Sequence, residues 1–219
     1  MRWIMACTIV LTWSHVVRAE PIITQVFSPN DLNGPLHVED FEDDEFTPGV
    51  HFSAATGVTR YPADFASSGV TTSGTWVFTT LGGSEFPVVP IRADFPQQAI
   101  VKAVGLYFGN DHDGTSSLFS AYLDAYDSSG LLGTVGVEAG RNDFVDQFIG
   151  FNSNVPLTHV LVRYGNGSDV NAYVVIDDFQ YTVPEPTTSV LLGLGVFVLA
   201  TFVHAASRPF SPVVTRRAA

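Results

Sequence analysis

The chain has 219 residues, of which 46% are hydrophobic, and its formal net charge is −12 at pH 7. All 22 acidic residues lie between Glu20 and Glu185, where only five Lys and Arg residues oppose them. A surface this negative repels phosphate backbones, which excludes nucleic acid as an expected partner and favours divalent cations as small partners. The one cysteine, Cys7, lies in an apolar N-terminal block, so we expect neither a disulfide nor a thiolate metal site in the remaining chain.

The N-terminus has the three parts of a secretory signal peptide. Arg2 supplies the positive charge, an apolar run follows, and Val17-Arg18-Ala19 forms a small-residue cleavage pattern. We therefore predict a signal peptide over residues 1–19, with cleavage after Ala19, and an exported domain over residues 20–183.

The central region consists of short apolar and β-branched runs separated by Gly, Pro, Asn and Asp, a pattern typical of strands and turns. Seven candidate strands are GTWVFTTL, AIVKAVGLYF, SLFSAYLDAY, LLGTVGVEA, DQFIGF, THVLVRYG and AYVVIDDFQYT. Asp127-Ser128-Ser129-Gly130 between two of them has turn chemistry, which favours antiparallel pairing. Without helix-period stretches to cover a parallel sheet, these runs predict one all-β domain, an antiparallel β-sandwich, and within that class a jelly roll.

The last predicted strand contains an unusual carboxylate. By the two-residue period, Asp177 shares one face of this strand with four apolar or aromatic residues: Tyr173, Val175, Phe179 and Tyr181. A carboxylate in such a face is costly to bury unless it is paired, hydrogen-bonded or bound to a metal. The alternative is an Asp near a strand end that accepts hydrogen bonds from the backbone of a neighbouring loop.

Phe41-Glu42 near the start of the domain and Ile176-Asp177-Asp178-Phe179 near its end together resemble calcium-containing jelly-roll carbohydrate-binding modules. In that family, an early Phe-Glu and a late Asp-Asp lie on adjacent strands, and carboxylate and backbone oxygens hold a structural calcium ion. The resemblance implies Glu42, Asp177 and Asp178 as side-chain ligands of a structural Ca²⁺. Calcium takes oxygen ligands, and a metal clip suits a domain that lacks disulfides.

The C-terminal region begins with Pro184-Glu185-Pro186 and a short polar link. The stretch 189–206 then contains no Asp, Glu, Lys or Arg, and Arg208, Arg216 and Arg217 follow it. As a helix this stretch spans roughly 27 Å, close to the thickness of the hydrocarbon core of a bilayer. We therefore predict one transmembrane helix over 189–206, with the C-terminus in the cytoplasm and the domain outside it.

This arrangement resembles the PEP-CTERM sorting signal of exported bacterial proteins, over residues 184–219. The resemblance implies that a membrane-embedded exosortase recognises and cleaves the tail and releases the protein to the cell surface or to exopolysaccharide. The family usually carries a tight basic cluster directly after the helix, whereas the arginines of this chain are spread along the tail.

The sequence shows no recognisable catalytic constellation, neither a Gly-x-Ser-x-Gly elbow nor a His-Glu-x-x-His pair nor a phosphate loop. We therefore expect a non-enzymatic, surface-destined β-sandwich whose partners are an exosortase-type protease and the membrane. One alternative is a polysaccharide-binding module with structural calcium, which a cluster of exposed aromatic rings on one sheet face or at the loop ends would favour. A second is an extracellular polysaccharide hydrolase or lyase, which requires a cleft where two carboxylates, or a base and an arginine such as Arg141 or Arg163, converge.

Overall fold

The structure is a computed structural model, and the residues that it describes are 20–47, 49–62, 71–80, 89–96, 100–109, 118–140, 144–165 and 174–182. The predicted cleavage site at Ala19, the Pro184-Glu185-Pro186 motif and the predicted helix 189–206 lie outside these ranges. Among the described residues there is no helix long and apolar enough to cross a membrane.

The described chain contains twelve strands and one short 3₁₀ turn, Pro29–Asp31. In chain order the strands are β1 (Ile23–Val26), β2 (Leu36–Glu39), β3 (His51–Ser53), β4 (Val58–Pro62), β5 (Trp76–Thr80), β6 (Ile91–Asp94), β7 (Ala103–Gly109), β8 (Leu118–Asp127), β9 (Gly130–Gly140), β10 (Gln147–Ser153), β11 (His159–Tyr164) and β12 (Val175–Thr182).

The strands form two antiparallel sheets that pack as a sandwich. The seven-stranded sheet has the order β1-β10-β7-β12-β5-β4, with β2 paired to part of β12, and the five-stranded sheet has the order β3-β6-β11-β8-β9. All ten strand pairings are antiparallel. The prediction of an all-β antiparallel sandwich is therefore confirmed.

Aromatic side chains fill much of the space between the sheets. Phe52 of β3 and Phe179 of β12 come from opposite sheets, and their ring centroids are 5.1 Å apart. Phe41 stacks on Phe78 at 4.8 Å and touches Phe52 edge to face at 5.4 Å. Aromatic pairs in these geometries add to the stabilisation that burial of their apolar area provides.

The expected alternation of β12 is interrupted in the middle of the strand. The register with β7 shifts between Asp177 and Gln180, and Asp178 has a φ of 43°, which is uncommon for a residue other than glycine. Because of this irregularity Phe179 and Tyr181 point into the core, whereas Asp177 lies on the outer side with Val175. The prediction that Asp177 shares the face of Phe179 and Tyr181 is wrong, since a two-residue period holds only for an uninterrupted strand.

The chain itself covers the central part of the outer face of the seven-stranded sheet. At one end, Val26 and Leu32 pack with Phe148 over Ala103 of β7. At the other, Val145 packs on Val77, Val175 and Tyr107, which belong to β5, β12 and β7. Val77 and Val175 are consequently 1% and 2% exposed although they point away from the main core.

Both ends of the described domain lie at the same end of the sandwich. The carbonyl of Glu20 accepts a hydrogen bond from the Asn154 side chain at 3.0 Å, and Ile22 N donates to the same side chain at 2.8 Å. Ser153, which precedes Asn154, donates its N–H to the Lys102 carbonyl. Ala103, which follows Lys102, donates its N–H to Oγ1 of Thr182, the last described residue, at 3.1 Å.

The Tyr164 hydroxyl links the two sheets through hydrogen bonds. Tyr164 belongs to β11 of the five-stranded sheet, and its oxygen lies 2.6 Å from the Gly109 carbonyl oxygen and 2.8 Å from that of Val175 in the seven-stranded sheet. It also accepts a hydrogen bond from Val175 N at 3.3 Å. Burial raises the pKa of Tyr164, so the hydroxyl keeps its proton and can donate it.

We predict that Tyr164→Phe lowers the free energy of unfolding by about 1–3 kcal/mol, because it leaves buried backbone groups of Gly109 and Val175 in the seven-stranded sheet without their partner. Denaturant unfolding measures the change. The control is Tyr126→Phe, whose ring lies on the outer surface of the same sheet; a loss of stability as large as that of Tyr164→Phe would show that the inter-sheet hydrogen bonds are not its cause.

Candidate functional site

The outer surface of the five-stranded sheet carries most of the polar and aromatic side chains that the fold brings together outside the core. We call it the open face and define it by the outward residues of its five strands, which are His51, Ser53, Arg92, Asp94, Ser120, Tyr122, Asp124, Tyr126, Thr134, Gly136, Glu138, His159, Leu161 and Arg163. In contrast to the outer face of the seven-stranded sheet, most of these side chains reach solvent.

One row across the open face contains a stacked pair of rings. His51, Asp94, His159 and Tyr126 are direct cross-strand neighbours on β3, β6, β11 and β8. The Tyr126 and His159 rings are nearly parallel, at an interplanar angle of 10°, with centroids 4.4 Å apart. Burial, and after it the charge of Arg92, lowers the pKa of His159, so this ring is neutral at neutral pH. The pair is therefore an uncharged aromatic surface.

A second aromatic position lies four residues away on the same two strands, where Arg163 of β11 is opposite Tyr122 of β8. The guanidinium carbon of Arg163 lies 4.3 Å from the centroid of the Tyr122 ring, a cation–π distance. On the other side, a Cβ at Gly136 would lie 2.9 Å from Tyr122 Cδ1. Because Gly136 has no side chain, the Tyr122 ring can lie across β9 at this position.

Four charged groups of the open face form two ion pairs, Arg163 with Asp124 and Arg92 with Asp94. Asp124 accepts hydrogen bonds from Arg163 Nε at 2.7 Å and Arg163 Nη2 at 3.1 Å, and from the Thr134 hydroxyl at 2.6 Å. Arg92 donates to both oxygens of Asp94, at 2.6–2.9 Å. These hydrogen bonds from Arg92 hold the pKa of Asp94 below its usual value. Both carboxylates are fixed as acceptors, so neither is suited to act as a general acid.

A second polar feature, which we call the acidic corner, consists of Glu42, Asp177, Asp178 and the segment 71–76. Thr72 N and Ser73 N donate to Asp177 Oδ2 at 2.9 and 3.2 Å, while Thr75 N and Trp76 N both donate to Glu42 Oε1 at 2.8 Å. The carboxylates thus hold the segment that leads into β5. Asp177 therefore matches the alternative of an Asp that accepts hydrogen bonds from the backbone of a neighbouring loop.

Serine and glycine residues complete the acidic corner. The Ser73 hydroxyl donates to Asp178 Oδ1 at 2.7 Å. Gly74 has a φ of +50°, and a Cβ at this position would overlap the Glu42 carboxylate. Only glycine combines this backbone conformation with so close an approach of the side chain.

The acidic stretch before the corner is folded around Arg60. Arg60 donates to the carbonyls of Phe41 and Asp43 and pairs with the Asp44 carboxylate, and its guanidinium carbon lies 5.1 Å from the Trp76 ring centroid. The buried carboxylate of Glu39 accepts the N–H of Phe41 at 2.9 Å. Internal hydrogen bonds therefore order this stretch despite its charge.

The acidic corner contains the residues that the resemblance implies as calcium ligands. The structure brings Glu42, Asp177 and Asp178 to one place, and their oxygens are of the type that calcium prefers. However, N–H groups of the 71–76 segment point at them, and in the described part of the chain no three acidic or histidine side chains converge as metal ligands. The described arrangement does not fit a calcium site, and calcium binding stays a prediction.

The aromatic residues of the open face were not among the predicted site residues. The two-residue periods of SLFSAYLDAY and THVLVRYG already separate Tyr122, Asp124 and Tyr126 from the core positions, and likewise His159 and Arg163. The sequence does not show that β8 and β11 are neighbours, and their pairing creates the stack.

The sequence matches no protein-family model and no curated protein. Several solved structures are similar to it at low identity. The K1 cleaved adhesin domain of Lys-gingipain from Porphyromonas gingivalis W83 has a TM-score of 0.44 and 14% identity, covering 69% of this chain and 100% of that one. The CBM22-2 xylan-binding domain of Paenibacillus barcinonensis Xyn10C has a TM-score of 0.41 and 12% identity, covering 67% and 98%. A family 29 carbohydrate-binding module from Piromyces equi has a TM-score of 0.36 and 10% identity, covering 74% and 91%. Likeness at this level does not identify a ligand or an activity.

Asp177 makes stability depend on pH. Burial raises its pKa from 3.8 to about 6, and the neighbouring charge of Asp178 adds to the increase. Between these two pH values the folded chain holds a proton on Asp177 that the unfolded chain releases. The contribution of Asp177 to the free energy of unfolding therefore increases as the pH falls through 6. We predict that the thermal midpoint of the wild type, relative to that of Asp177→Asn, rises between about pH 7 and about pH 5. Equal pH dependence of the two proteins would contradict the raised pKa.

The calcium prediction is checked by thermal unfolding at about pH 7 with added Ca²⁺ and with a chelator. If the resemblance holds for the ligands, Ca²⁺ raises the midpoint of the wild type and has no effect on Asp177→Asn, because the charge that would bind the ion is gone. An unchanged wild-type midpoint would remove Glu42, Asp177 and Asp178 as calcium ligands.

Proposed function

We propose that this protein binds an extracellular polysaccharide on the open face. The observation that carries the proposal is the Tyr126–His159 stack, with Tyr122 four residues earlier on the same face of β8, on a sheet face that reaches solvent. Flat rings provide an apolar surface for the C–H face of a sugar ring, and the polar side chains around them can hydrogen-bond its hydroxyl groups. This is the polysaccharide-binding alternative of the sequence analysis.

The charges favour a neutral polysaccharide. Arg92 and Arg163 are each engaged by a carboxylate, so neither is available to neutralise an acidic sugar. The chain as a whole is strongly negative and repels polyanions. A neutral chain of sugars meets no such repulsion, and the paired side chains present it with fixed donors and acceptors.

The same pairing favours binding without catalysis. A hydrolase of the common kind needs one carboxyl group that keeps a proton and a second on the opposite side of the bond. On the open face, Asp94 and Asp124 instead accept hydrogen bonds from Arg92 and Arg163. Arg141, the other arginine considered for a hydrolase or lyase, lies outside the described residues.

Polysaccharide binding suits the export that the ends of the sequence predict. A signal peptide that ends at Ala19 and a sorting tail from Pro184 would place the domain outside the cytoplasm, first anchored by the helix 189–206 and then at the cell surface after exosortase cleavage. We retain this route and the jelly-roll connectivity as parts of the proposal. In that setting the open face would attach the protein to a polysaccharide matrix.

We predict that Tyr126→Ala and His159→Ala each weaken binding to a neutral polysaccharide about tenfold, because each removes half of the stack. The measurement is binding of the purified protein to an array of neutral and acidic glycans, followed by affinity measurement on the best ligand. Tyr61→Ala is the matched control, since Tyr61 is 46% exposed and lies on the other sheet.

Equal effects of Tyr61→Ala and Tyr126→Ala would place binding elsewhere on the molecule. Binding to no glycan of the array would refute the proposed function.

A further inference from the structure

A cavity of about 860 Å³ lies at the end of the sandwich where the chain enters. Its walls come from the β8–β9 turn, the segment 155–158, the residues that follow β6, and Glu20-Pro21. This volume is within the range of about 300–1,000 Å³ that is usual for small-molecule sites.

The lining combines an apolar floor with short polar groups. The apolar side chains are Phe95, Pro96, Ile100, Val155, Pro156 and Leu157, with Pro21 beside them, and the polar ones are Glu20, Asp94, Asp127, Ser128, Ser129 and Thr158. Among the described lining residues there is no Lys or Arg, and the carboxylates of Glu20, Asp94 and Asp127 disfavour an anionic ligand. Hydroxyl and carboxylate oxygens beside apolar surface suit a neutral molecule rich in hydroxyl groups.

The cavity lies next to the open face and shares Asp94 with it. Asp94 lines the cavity and also lies next to His159 in the row that contains the ring stack. Thr158, another lining residue, donates its N–H to the Tyr126 carbonyl at 2.9 Å, and its hydroxyl lies 3.1 Å from His159 Nδ1. A ligand that lies on the Tyr126 and His159 rings is therefore at the rim of the cavity.

The polar wall contributed by the β8–β9 turn is preorganised. Asp127 Oδ1 accepts hydrogen bonds from Ser129 N at 2.6 Å, from the Ser129 hydroxyl at 2.5 Å and from Gly130 N at 3.2 Å. Gly130, with a φ of +128°, provides the backbone conformation that closes this two-residue turn. The exposed Ser128 at its tip is thereby held in a fixed position beside the cavity.

We propose that the cavity binds the terminal sugar unit of the polysaccharide whose following units lie on the open face. This inference rests on the proposed function and adds that the protein recognises a chain end. A cavity at the end of the sheet, closed by the turn and by the segment 155–158, accommodates the end of a chain, whereas the open face places no limit on its length.

The test compares two variants on one ligand. The ligand is the hexasaccharide of the neutral polysaccharide that binds best on the array, and it is used in three forms. The first is unmodified, the second carries a bulky acetal on the non-reducing terminal sugar, and in the third the reducing-end sugar is converted to its alditol. Ser128→Trp places a large side chain at the cavity mouth. Val38→Trp is the matched control, since Val38 is 46% exposed on β2 of the other sheet. Thermal unfolding confirms that both variants fold.

We expect Ser128→Trp to weaken binding about tenfold, the range of a single well-placed contact. Modification of one of the two ends of the hexasaccharide should weaken binding by about the same factor. Val38→Trp should leave the affinity unchanged. If neither Ser128→Trp nor modification of either end changes the affinity, while Tyr126→Ala still weakens it, chain-end recognition is refuted and the proposed function stands. If no glycan of the array binds, both are refuted.

Discussion

Two packed sheets bury one face of each sheet and leave two outer faces, and in this protein the chain covers the centre of one of them. Short segments around Leu32 and Val145 pack on the outer face of the seven-stranded sheet, so outward residues such as Val175 are almost fully buried. No segment among the described residues covers the aromatic rows of the five-stranded sheet, and in the described part of the chain these side chains reach solvent. The location of a binding surface therefore follows from which sheet the chain covers.

The acidic corner shows how a single irregular residue changes the chemistry of a strand. The positive φ of Asp178 separates Asp177 from the aromatic core and turns it toward the N–H groups of Thr72 and Ser73. Hydrogen bonds to an ionised carboxylate are strong, but the burial of Asp177 and the nearby Asp178 work against its ionisation. The result is a loop held by a carboxylate whose charge is costly, which makes stability sensitive to protons.

The sequence was sufficient for the fold class and for the long strands. Runs such as SLFSAYLDAY and THVLVRYG have a two-residue period, and they form β8 and β11 close to the predicted bounds. The short strands β1–β4 and β6 were not predicted, because three to five residues carry too little alternation to stand out from turns. The Tyr126–His159 stack depends on which strands are neighbours, and the irregularity at Asp178 depends on tertiary contacts, so neither is visible in a single sequence.

The central claim is that the open face contacts a neutral polysaccharide. The most direct measurement is a nuclear magnetic resonance titration of the isotope-labelled protein with the best glycan ligand, in which amide shifts are mapped on the structure. The account predicts that the largest shifts occur around Tyr122, Tyr126 and His159. Shifts concentrated instead around Val77 and Val175, on the covered face of the other sheet, would contradict it.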